Sequence, residues 1–261
     1  MWRHKISMAD IQAMPIRLPK NTALRRRIID QVDKLRAWAP VERDLKHPNG
    51  LERAEIRSRT RALERELDDA IFDLYELTDA ERDLVTDMCE VGLEFFYRHA
   101  NSRAVSPVVI DVQQRSGGIN DLTVSADGGA VSGYLSTFIE AWNREIQPRG
   151  GLTWRIIRPT PTNPMLAAVF TTESEVATGD ARSPSDEQAW ATLFSKLDQT
   201  STQHAGSRRV FIDGMVRAVT DTDILIIKRN ERRLWTRSAA REDAEASMVQ
   251  VMDLGQLTAR R

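Results

Sequence analysis

The sequence is poor in cysteine and histidine, and this excludes two kinds of site. Its 261 residues include one cysteine, Cys89, and four histidines. A single cysteine cannot form an intramolecular disulfide or build a cysteine-based zinc site. The histidines are scattered, and no two have the spacing of a metal-binding pair on one helix. We therefore expect no metal site built on cysteine or on a histidine pair, and a structural Cys89, because this residue lies inside a helical pattern.

Long apolar runs and a strong net charge are also absent. The apolar runs are far shorter than a membrane span, and the first residues, MWRHKISMADIQ, lack the apolar core of a secretory signal. The 37 basic and 38 acidic residues leave a net charge of -1, which excludes a globally basic nucleic-acid coat but not local basic patches. These absences predict a soluble, cytoplasmic protein with no membrane partner.

Sequence motifs of the common enzyme classes are missing as well. The chain has no Walker lysine loop and no Gly-x-Ser-x-Gly, and its three diglycines do not match the dinucleotide fingerprint. A nuclease centre of Asp213, Asp223 and Lys228 is conceivable, but these residues lack the acid-x-lysine spacing that such centres need. We expect no catalytic residue and no cofactor site in this chain.

Three aspartates near a loop region are the remaining candidates for a metal site. They are Asp111, Asp121 and Asp127. Aspartate side chains accept hydrogen bonds from nearby backbone groups in turns, so an ordinary turn role is favoured for all three.

Composition and periodicity divide the chain into three parts. Residues 1–100 are predicted to form an extended arm followed by helices, residues 101–129 a linker rich in Gly, Ser, Asn and Asp, and residues 130–261 a small α/β domain. Pro15 and Pro19 bracket the arm, because the fixed φ of proline disfavours helix there. The predicted fold class is therefore α+β, a helical hairpin or bundle followed by a small mixed α/β domain.

Helical patterns fill the N-terminal part. The first begins after Asn21 or Thr22, either of which can cap it, and Pro40 predicts its end. The second covers residues 51–74 and carries an apolar seam typical of a helical hairpin or coiled coil. The seam consists of Ile56, Leu63, Leu67, Ala70, Leu74 and Leu77.

A third helix and the C-terminal domain follow. Thr78 and Glu81 have the spacing of a capping box at the start of the third helix. The C-terminal helices are predicted at residues 130–146, 186–197 and 238–252, the last capped by Ser238, and the strands at 152–157, 166–171, 209–212, 224–227 and 234–236.

Charge is segregated along the helical part. Residues 17–65 contain 14 basic and 7 acidic side chains, whereas residues 66–94 contain 11 acidic side chains and Arg82 as the one base. One interpretation is that the two stretches pair with each other across a hairpin. The other is that the basic stretch faces phosphates and the acidic stretch faces away from them. Arg25, Arg26 and Arg27 lie in the basic stretch and mostly off the apolar face of the first helix.

A basic cluster surrounds a tryptophan near the C-terminus. We call it the Trp235 cluster; it contains Lys228, Arg229, Arg232, Arg233, Trp235, Arg237 and Arg241. Cationic side chains beside an aromatic ring suit phosphate contact and base stacking. The alternative is a solvated hairpin tip with Trp235 packed inward. With Arg25, Arg26 and Arg27, this cluster supplies the candidate DNA-binding residues.

Three segments of the N-terminal part carry a family resemblance. Residues 14–19 read MPIRLP, residues 28–35 read IIDQVDKL, and residues 67–81 read LDDAIFDLYELTDAE. Together they resemble the C-terminal end of adenine-specific N6 DNA methyltransferases of bacterial restriction-modification and phage-defence systems. In that family a strand close to "lPI-x-LP" closes the target-recognition region, and a helical segment close to "id-x-x-vy-x-LYgLt-x-x-E" follows.

The resemblance covers about residues 5–90, and the rest of the chain is similar to a module appended to some of these proteins. It departs from the family at Glu76, where Gly is common, and it lacks the Asn/Asp-Pro-Pro-aromatic motif, because the sequence contains no Pro-Pro pair. S-adenosylmethionine would bind a separate catalytic core. The resemblance therefore implies a tail fragment, a truncated product or a separately encoded part of a split methyltransferase.

Two functions remain open at this stage. The first is an accessory part of a site-specific adenine DNA methyltransferase that supports target recognition, with DNA and a catalytic chain or domain as partners. The second is a non-enzymatic helical scaffold that docks on another protein through the exposed seam of the second helix. The first predicts salt-sensitive DNA binding, and the second predicts oligomers or a stable complex without DNA binding.

Overall fold

The computed structural model describes residues 15–43, 53–125, 130–146, 151–171, 185–203, 210–212, 214–220 and 222–259. The chain divides into two compact units, Met1–Arg82 and Asp83–Arg261. The boundary between the units lies before residue 100, so the last part of the predicted helical segment belongs with the α/β unit. Within these described ranges, no helix combines the length and apolar character needed to cross a membrane.

The first unit is built on a helical hairpin of α1 (Thr22–Arg43) and α2 (Arg53–Tyr75). The apolar seam of α2 packs on α1, with Ala70 and Leu74 buried. Thr60, a polar residue on the seam, is also buried; it accepts a hydrogen bond from Trp38 Nε1 at 3.0 Å. Part of the seam is thus covered within the hairpin, whereas Leu63, Leu67 and Leu77 are half-buried.

Capping residues set the ends of the first helices. The Asn21 side chain accepts a hydrogen bond from the Ala23 N–H at 2.8 Å, which confirms one of the two predicted caps. The α1 helix runs on to Arg43, past Pro40, where the sequence predicts its end. Proline removes one hydrogen bond of the helical ladder, and a helix of this length continues without it.

The α2 helix ends in a left-handed residue. Glu76 has φ of 58°, and the N–H of Leu77 bonds back to the Phe72 carbonyl at 3.0 Å. The N–H of Glu76 bonds to the Asp73 carbonyl at 3.2 Å. These two bonds form a Schellman motif, whose left-handed position favours glycine.

A helical segment interrupted by a π turn follows. The α3 helix (Asp79–Asp87) starts with the predicted capping box, because the Thr78 N–H donates to Glu81 Oε2 at 2.8 Å and the Glu81 N–H to Thr78 Oγ1 at 3.4 Å. A π turn at Met88–Gly92 joins it to α4 (Leu93–Arg98).

The second unit contains an antiparallel sheet, and the chain has the α+β class that the sequence predicts. In the described residues the strands are β1 (Ser116–Gly117), β2 (Thr153–Ile157), β3 (Met165–Thr171), β4 (Val210–Ile212), β5 (Met215–Val219) and β6 (Asp223–Arg229). Their order in the sheet is β1-β2-β3-β6-β5-β4. The β3 and β6 strands, in the middle, are the longest and most buried, as expected of central strands.

Helices cover both faces of the sheet. The α5 helix (Val131–Ile146) and α7 (Arg237–Ala259) pack on one face, and α6 (Asp186–Gln203) packs on the other. Tyr134, Phe138 and Trp142 of α5 are all buried, as their spacing predicts. Alternation along β6 sends Ile226 to the α5–α7 face and Leu225 to the α6 face.

Three local predictions for this unit need correction. Residues 234–236 do not form a strand, because Arg232–Leu234 is a short 3-10 turn. The β5 strand escaped the sequence patterns, because Arg217 interrupts its apolar run. The α7 helix begins at Arg237 rather than after Ser238, and the Thr236 hydroxyl accepts the Ala239 N–H at 3.3 Å as its cap.

Candidate functional site

The N-terminal turns of α1 carry the first group of candidate residues. Arg25 and Arg26 are exposed, and within the part of the chain that the structure describes neither forms an ion pair. Arg27 differs, because its guanidinium donates to Asp73 Oδ2 at 2.7 Å across the hairpin. Two of the three predicted arginines therefore present their charge to solvent, and the third is held by α2.

Positive charge accumulates at this end of the hairpin. A helix N-terminus carries a partial positive charge, although the Asn21 side chain caps the Ala23 N–H here, and the exposed Lys20 lies just before α1. The charge of Arg17 is offset by Glu76, which it contacts at 2.7 Å. A cationic helix start of this kind attracts phosphate groups.

Asp73, at the same end of the hairpin, forms ion pairs with two arginines. Arg82 and Arg27 approach its two oxygens at 2.7 Å each. The hydrogen bond from Arg82, more than the one from Arg27, holds the pKa of this carboxyl below its ordinary value. The basic and acidic stretches of the sequence thus meet here in part, whereas Arg25 and Arg26 remain outside the pairing.

The second group of candidates, the Trp235 cluster, is centred on a buried ring. Trp235 has no exposed surface, and its indole N–H donates to the Arg229 carbonyl at 3.0 Å. The ring packs edge-on against Tyr134 with centroids 4.8 Å apart. Trp235 therefore has the inward arrangement, and this corrects the expectation that it stacks on a nucleic-acid base.

Lys228 is also buried, with 3% of its surface exposed. Its Nζ donates to the Leu234 carbonyl at 2.9 Å and to Asp243, whose carboxylate also accepts from Arg217 and from the Tyr134 hydroxyl. Burial lowers the pKa of Lys228, and the Asp243 charge opposes that shift. Because Lys228 points into the core, it cannot serve as the phosphate contact that the sequence suggested.

Tyr134 completes this buried network from α5. Its hydroxyl lies 2.5 Å from Asp243 Oδ2, and burial raises the pKa of the phenol well above its ordinary value. The neutral hydroxyl is then a fixed donor to the carboxylate. Two cations, one carboxylate and the Tyr134 hydroxyl form a buried network between the sheet, α5 and α7.

The remaining arginines of the Trp235 cluster face acids. Arg232 contacts Glu90 at 3.3 Å, and Arg233 contacts Glu231 at 2.7 Å. The other pairs are Arg229–Glu231 at 3.7 Å, Arg237–Asp83 at 3.7 Å and Arg241–Asp83 at 2.7 Å. Arg229 is the most exposed of the five, with half of its side-chain surface open to solvent. The cluster therefore carries far less unbalanced charge than its sequence suggests.

The sequence contains a pattern that could have predicted this ion pairing but was not interpreted in that way. Asp83, Asp87, Glu90 and Glu94 repeat at helical spacing, and all four point to the body of the second unit. Glu94 contacts Arg103 at 3.2 Å, and this partner lowers the pKa of Glu94 despite the opposing effect of desolvation. An acidic stripe on one helix predicts a basic surface that it covers.

The other candidates for a nuclease centre or a metal site lie on opposite faces of the sheet or accept hydrogen bonds in turns. Asp223 contacts Lys196 on the α6 face, whereas Lys228 points to the α5–α7 face, so they cannot share a nuclease centre. Asp111 accepts from the Ser132 N–H at 2.9 Å and so caps α5. Asp121 accepts from the Gly118 N–H at 2.7 Å. Both aspartates have the turn roles favoured by the sequence.

The remaining candidates are Cys89 and four residues outside the described ranges. Asp213, Asp127 and the Arg208–Arg209 pair, which the sequence suggests as an extension of the Trp235 cluster, lie outside the described residues. Cys89 is an exposed free thiol in the π turn rather than a core residue. Among the described residues, no group of three or more His, Cys, Asp or Glu side chains is placed to hold a metal ion.

Comparisons with family models, with curated proteins and with solved structures each find no match for this chain.

Proposed function

We propose that the chain is an accessory part of a site-specific adenine DNA methyltransferase and contacts the DNA backbone through the start of α1. The observation that carries this proposal is the exposed pair Arg25 and Arg26 beside a helix N-terminus, both outside the ion pairs that hold the rest of the hairpin end. Phosphate contacts of this type position a protein on DNA without reading sequence.

The proposed association with a methyltransferase is supported by the family resemblance of the first part of the chain. It rests on residues 14–19, 28–35 and 67–81, all of which fall in or next to the hairpin unit. The catalytic core, with its S-adenosylmethionine site, would be a separate chain or domain. A role on chromosomal or phage DNA would place the protein in the cytoplasm.

The Trp235 cluster is given a different role from the hairpin. Its arginines are balanced by Asp83, Glu90 and Glu231, and Lys228 and Trp235 are buried. Moving these arginines to phosphates would break ion pairs that hold α3 and α4 to the second unit. The proposal therefore assigns DNA contact to α1 and structural support to the Trp235 cluster.

DNA binding by α1 is tested with fluorescence anisotropy of a labelled duplex over a salt series. The Arg25→Gln/Arg26→Gln double variant should weaken binding and make the log–log salt slope shallower by about 2, because each lost phosphate contact removes about 0.9. The matched control is Arg144→Gln/Arg155→Gln, which removes two exposed arginines from the second unit. This control should bind DNA as the parent chain does.

Equal binding by parent chain and α1 variant would reject the α1 surface. Absence of any salt-sensitive binding by the parent chain would reject the DNA role itself. The methyltransferase half has its own assay: co-expression with a catalytic core encoded next to this chain, followed by digestion of the DNA with a methylation-sensitive nuclease. Methylation that is the same with and without this chain would reject that half.

A further inference from the structure

The α3–α4 segment is an amphipathic helix placed with its charged side toward the protein. From residue 83 to residue 97 every acid is buried or half-buried, and every exposed residue is uncharged. Surface helices of soluble proteins ordinarily have the reverse arrangement, with apolar residues facing the core. The outward side of this segment therefore needs an explanation that folding of the chain alone does not give.

Ion pairs and caps hold the inward side in place. Asp83 contacts Arg241 at 2.7 Å, and Asp87 accepts the Ser238 N–H at 2.8 Å. Further along, Glu90 and Glu94 contact their own arginines in the second unit. The segment is thus fixed by charge, and its orientation is not free to reverse.

The outward side is a continuous apolar surface, which we call the 84–97 face. It consists of Leu84, Met88, Cys89, Gly92, Leu93, Phe96 and Tyr97. Leu84 is 59% exposed, Phe96 67% and Tyr97 64%. The π turn at Met88–Gly92 lies in the middle of this face, and exposed residues continue on both sides of it.

The area of this face is sufficient for a small interface. Five large side chains, each about half exposed, offer on the order of 500 Å² per copy, and a symmetric pair would bury about 1,000 Å². Specific protein–protein interfaces begin at about this size. The absence of exposed charge from residue 84 to residue 97 disfavours DNA as the partner and favours an equally apolar surface.

The order of side chains along the face is self-complementary. In an antiparallel helix pair with a two-fold axis near residue 90, Leu84 of one copy lies opposite Phe96 of the other, and Met88 lies opposite Gly92. A Cβ built at Gly92 would lie 3.9 Å from both the Met88 side chain and the Asp87 carbonyl of its own chain, which is ordinary van der Waals contact, so Gly92 is a low point of the face beside Met88. This register pairs Leu84 with Phe96 and the bulky Met88 with the small Gly92, and the two-fold axis repeats each pair, as in an isologous interface.

We propose that the 84–97 face joins two copies of this chain in an antiparallel helix pair. This inference concerns a surface of the second unit and goes beyond the DNA role assigned to α1. It assigns Cys89 a place close to the two-fold axis. An interface near this lower size limit is expected to be weak and reversible.

Sedimentation velocity of the full chain without DNA tests the proposal over a wide range of micromolar concentrations. The parent chain should show a concentration-dependent monomer–dimer equilibrium. Met88→Lys and Phe96→Lys should each weaken the dimer by about tenfold or more, because each places a charge in the apolar contact. Val249→Lys, at another exposed apolar position, is the matched control and should leave the equilibrium unchanged.

Cys89 provides a second measurement that needs no substitution. As the single cysteine of the chain, it should give covalent dimers with a short bismaleimide, and Met88→Lys should suppress them. Circular dichroism of the variants checks that they are folded, which is expected because the replaced side chains are exposed.

Two outcomes would overturn the proposal. A parent chain that stays monomeric throughout would exclude a second copy as the occupant of this face. A dimer that both lysine variants retain would assign self-association to another surface. Because no DNA is present in these experiments, either failure is separate from failure of the proposed DNA role.

Discussion

The carboxylate of Asp87 accepts a hydrogen bond from the backbone N–H of Ser238 at 2.8 Å, across 151 residues of sequence. Ser238 lies in the first turn of α7, where N–H groups have no partner within the helix. The carboxylate satisfies one of these donors and faces the positive end of the helix dipole. Asp87 therefore caps α7 from another helix, beside the local cap at Thr236.

Removal of this cap should destabilise the second unit. Asp87→Ala leaves a buried N–H without its partner, and we expect a loss of about 1 to 2 kcal/mol. Asp87→Asn keeps an acceptor oxygen and should lose less. Urea unfolding followed by circular dichroism measures both variants. An alanine variant as stable as the parent chain would mean that α7 does not depend on the distant cap.

The same carboxyl should give a distinct dependence on pH. Burial raises the pKa of Asp87 above 3.8, so the folded state binds this proton more tightly than the unfolded state. The stability of the parent chain relative to Asp87→Asn should therefore fall as pH rises from 3.8 through the raised pKa. Unfolding of both proteins at several acid pH values measures the trend, and a relative stability that rises instead would contradict the assignment.

Asp223 should show the opposite trend. Burial alone would raise its pKa, but hydrogen bonds from Lys196 and Thr171, together with the Lys196 charge, lower it below 3.8. The ionised form thus stabilises the fold above 3.8, and this contribution is lost as pH falls through the lowered pKa. Asp223→Asn should be less stable than the parent chain at neutral pH and approach it in strong acid. A difference that is constant with pH would argue against an ion pair at this position.

The buried network around Asp243 should depend most on its carboxylate. Asp243→Asn leaves Lys228 and Arg217 buried without a counter-ion, and we expect a loss of about 3 to 5 kcal/mol. Tyr134→Phe removes one neutral donor and should cost about 1 kcal/mol. Urea unfolding midpoints compare the two variants. Equal losses would mean that the carboxylate does not balance these two cations.

Glu76 is a position at which one substitution is expected to preserve or raise the stability of the fold. Its φ of 58° strains any residue with a side chain, whereas glycine adopts it freely. Glu76→Gly loses only the exposed contact with Arg17, so it should be neutral or stabilising by up to about 1 kcal/mol. Glu76→Ala keeps the strain and should be no more stable than the parent chain. Thermal unfolding distinguishes the two, and destabilisation by glycine would contradict the strain argument.

Sequence patterns predicted elements whose signals are local. The period of Tyr134, Phe138 and Trp142 matched the buried face of α5, and the caps at Asn21 and Thr78 were confirmed, because each depends on residues of the same helix. These features could be read within a window of a few residues.

Long-range charge pairing could not be predicted in the same way. Arg232 and its partner Glu90 are 142 residues apart, and an arginine next to a tryptophan looks the same whether it faces an acid or solvent. The β5 strand was missed for a related reason, since the buried Arg217 is neutralised by Asp243 of α7. The structure therefore corrected more of the predicted site residues than of the predicted helices and strands.

The arrangement of strands has a consequence for the order of folding. The β2–β3 and β5–β6 pairs are joined by short connections and can form quickly. The central β3–β6 ladder joins Thr171 to Asp223 across about fifty residues, and closing that loop costs entropy before its contacts stabilise the sheet. We expect this central ladder to limit the folding rate. Lys228 would then remain in contact with water until the last folding step, in which α7 packs on the completed sheet.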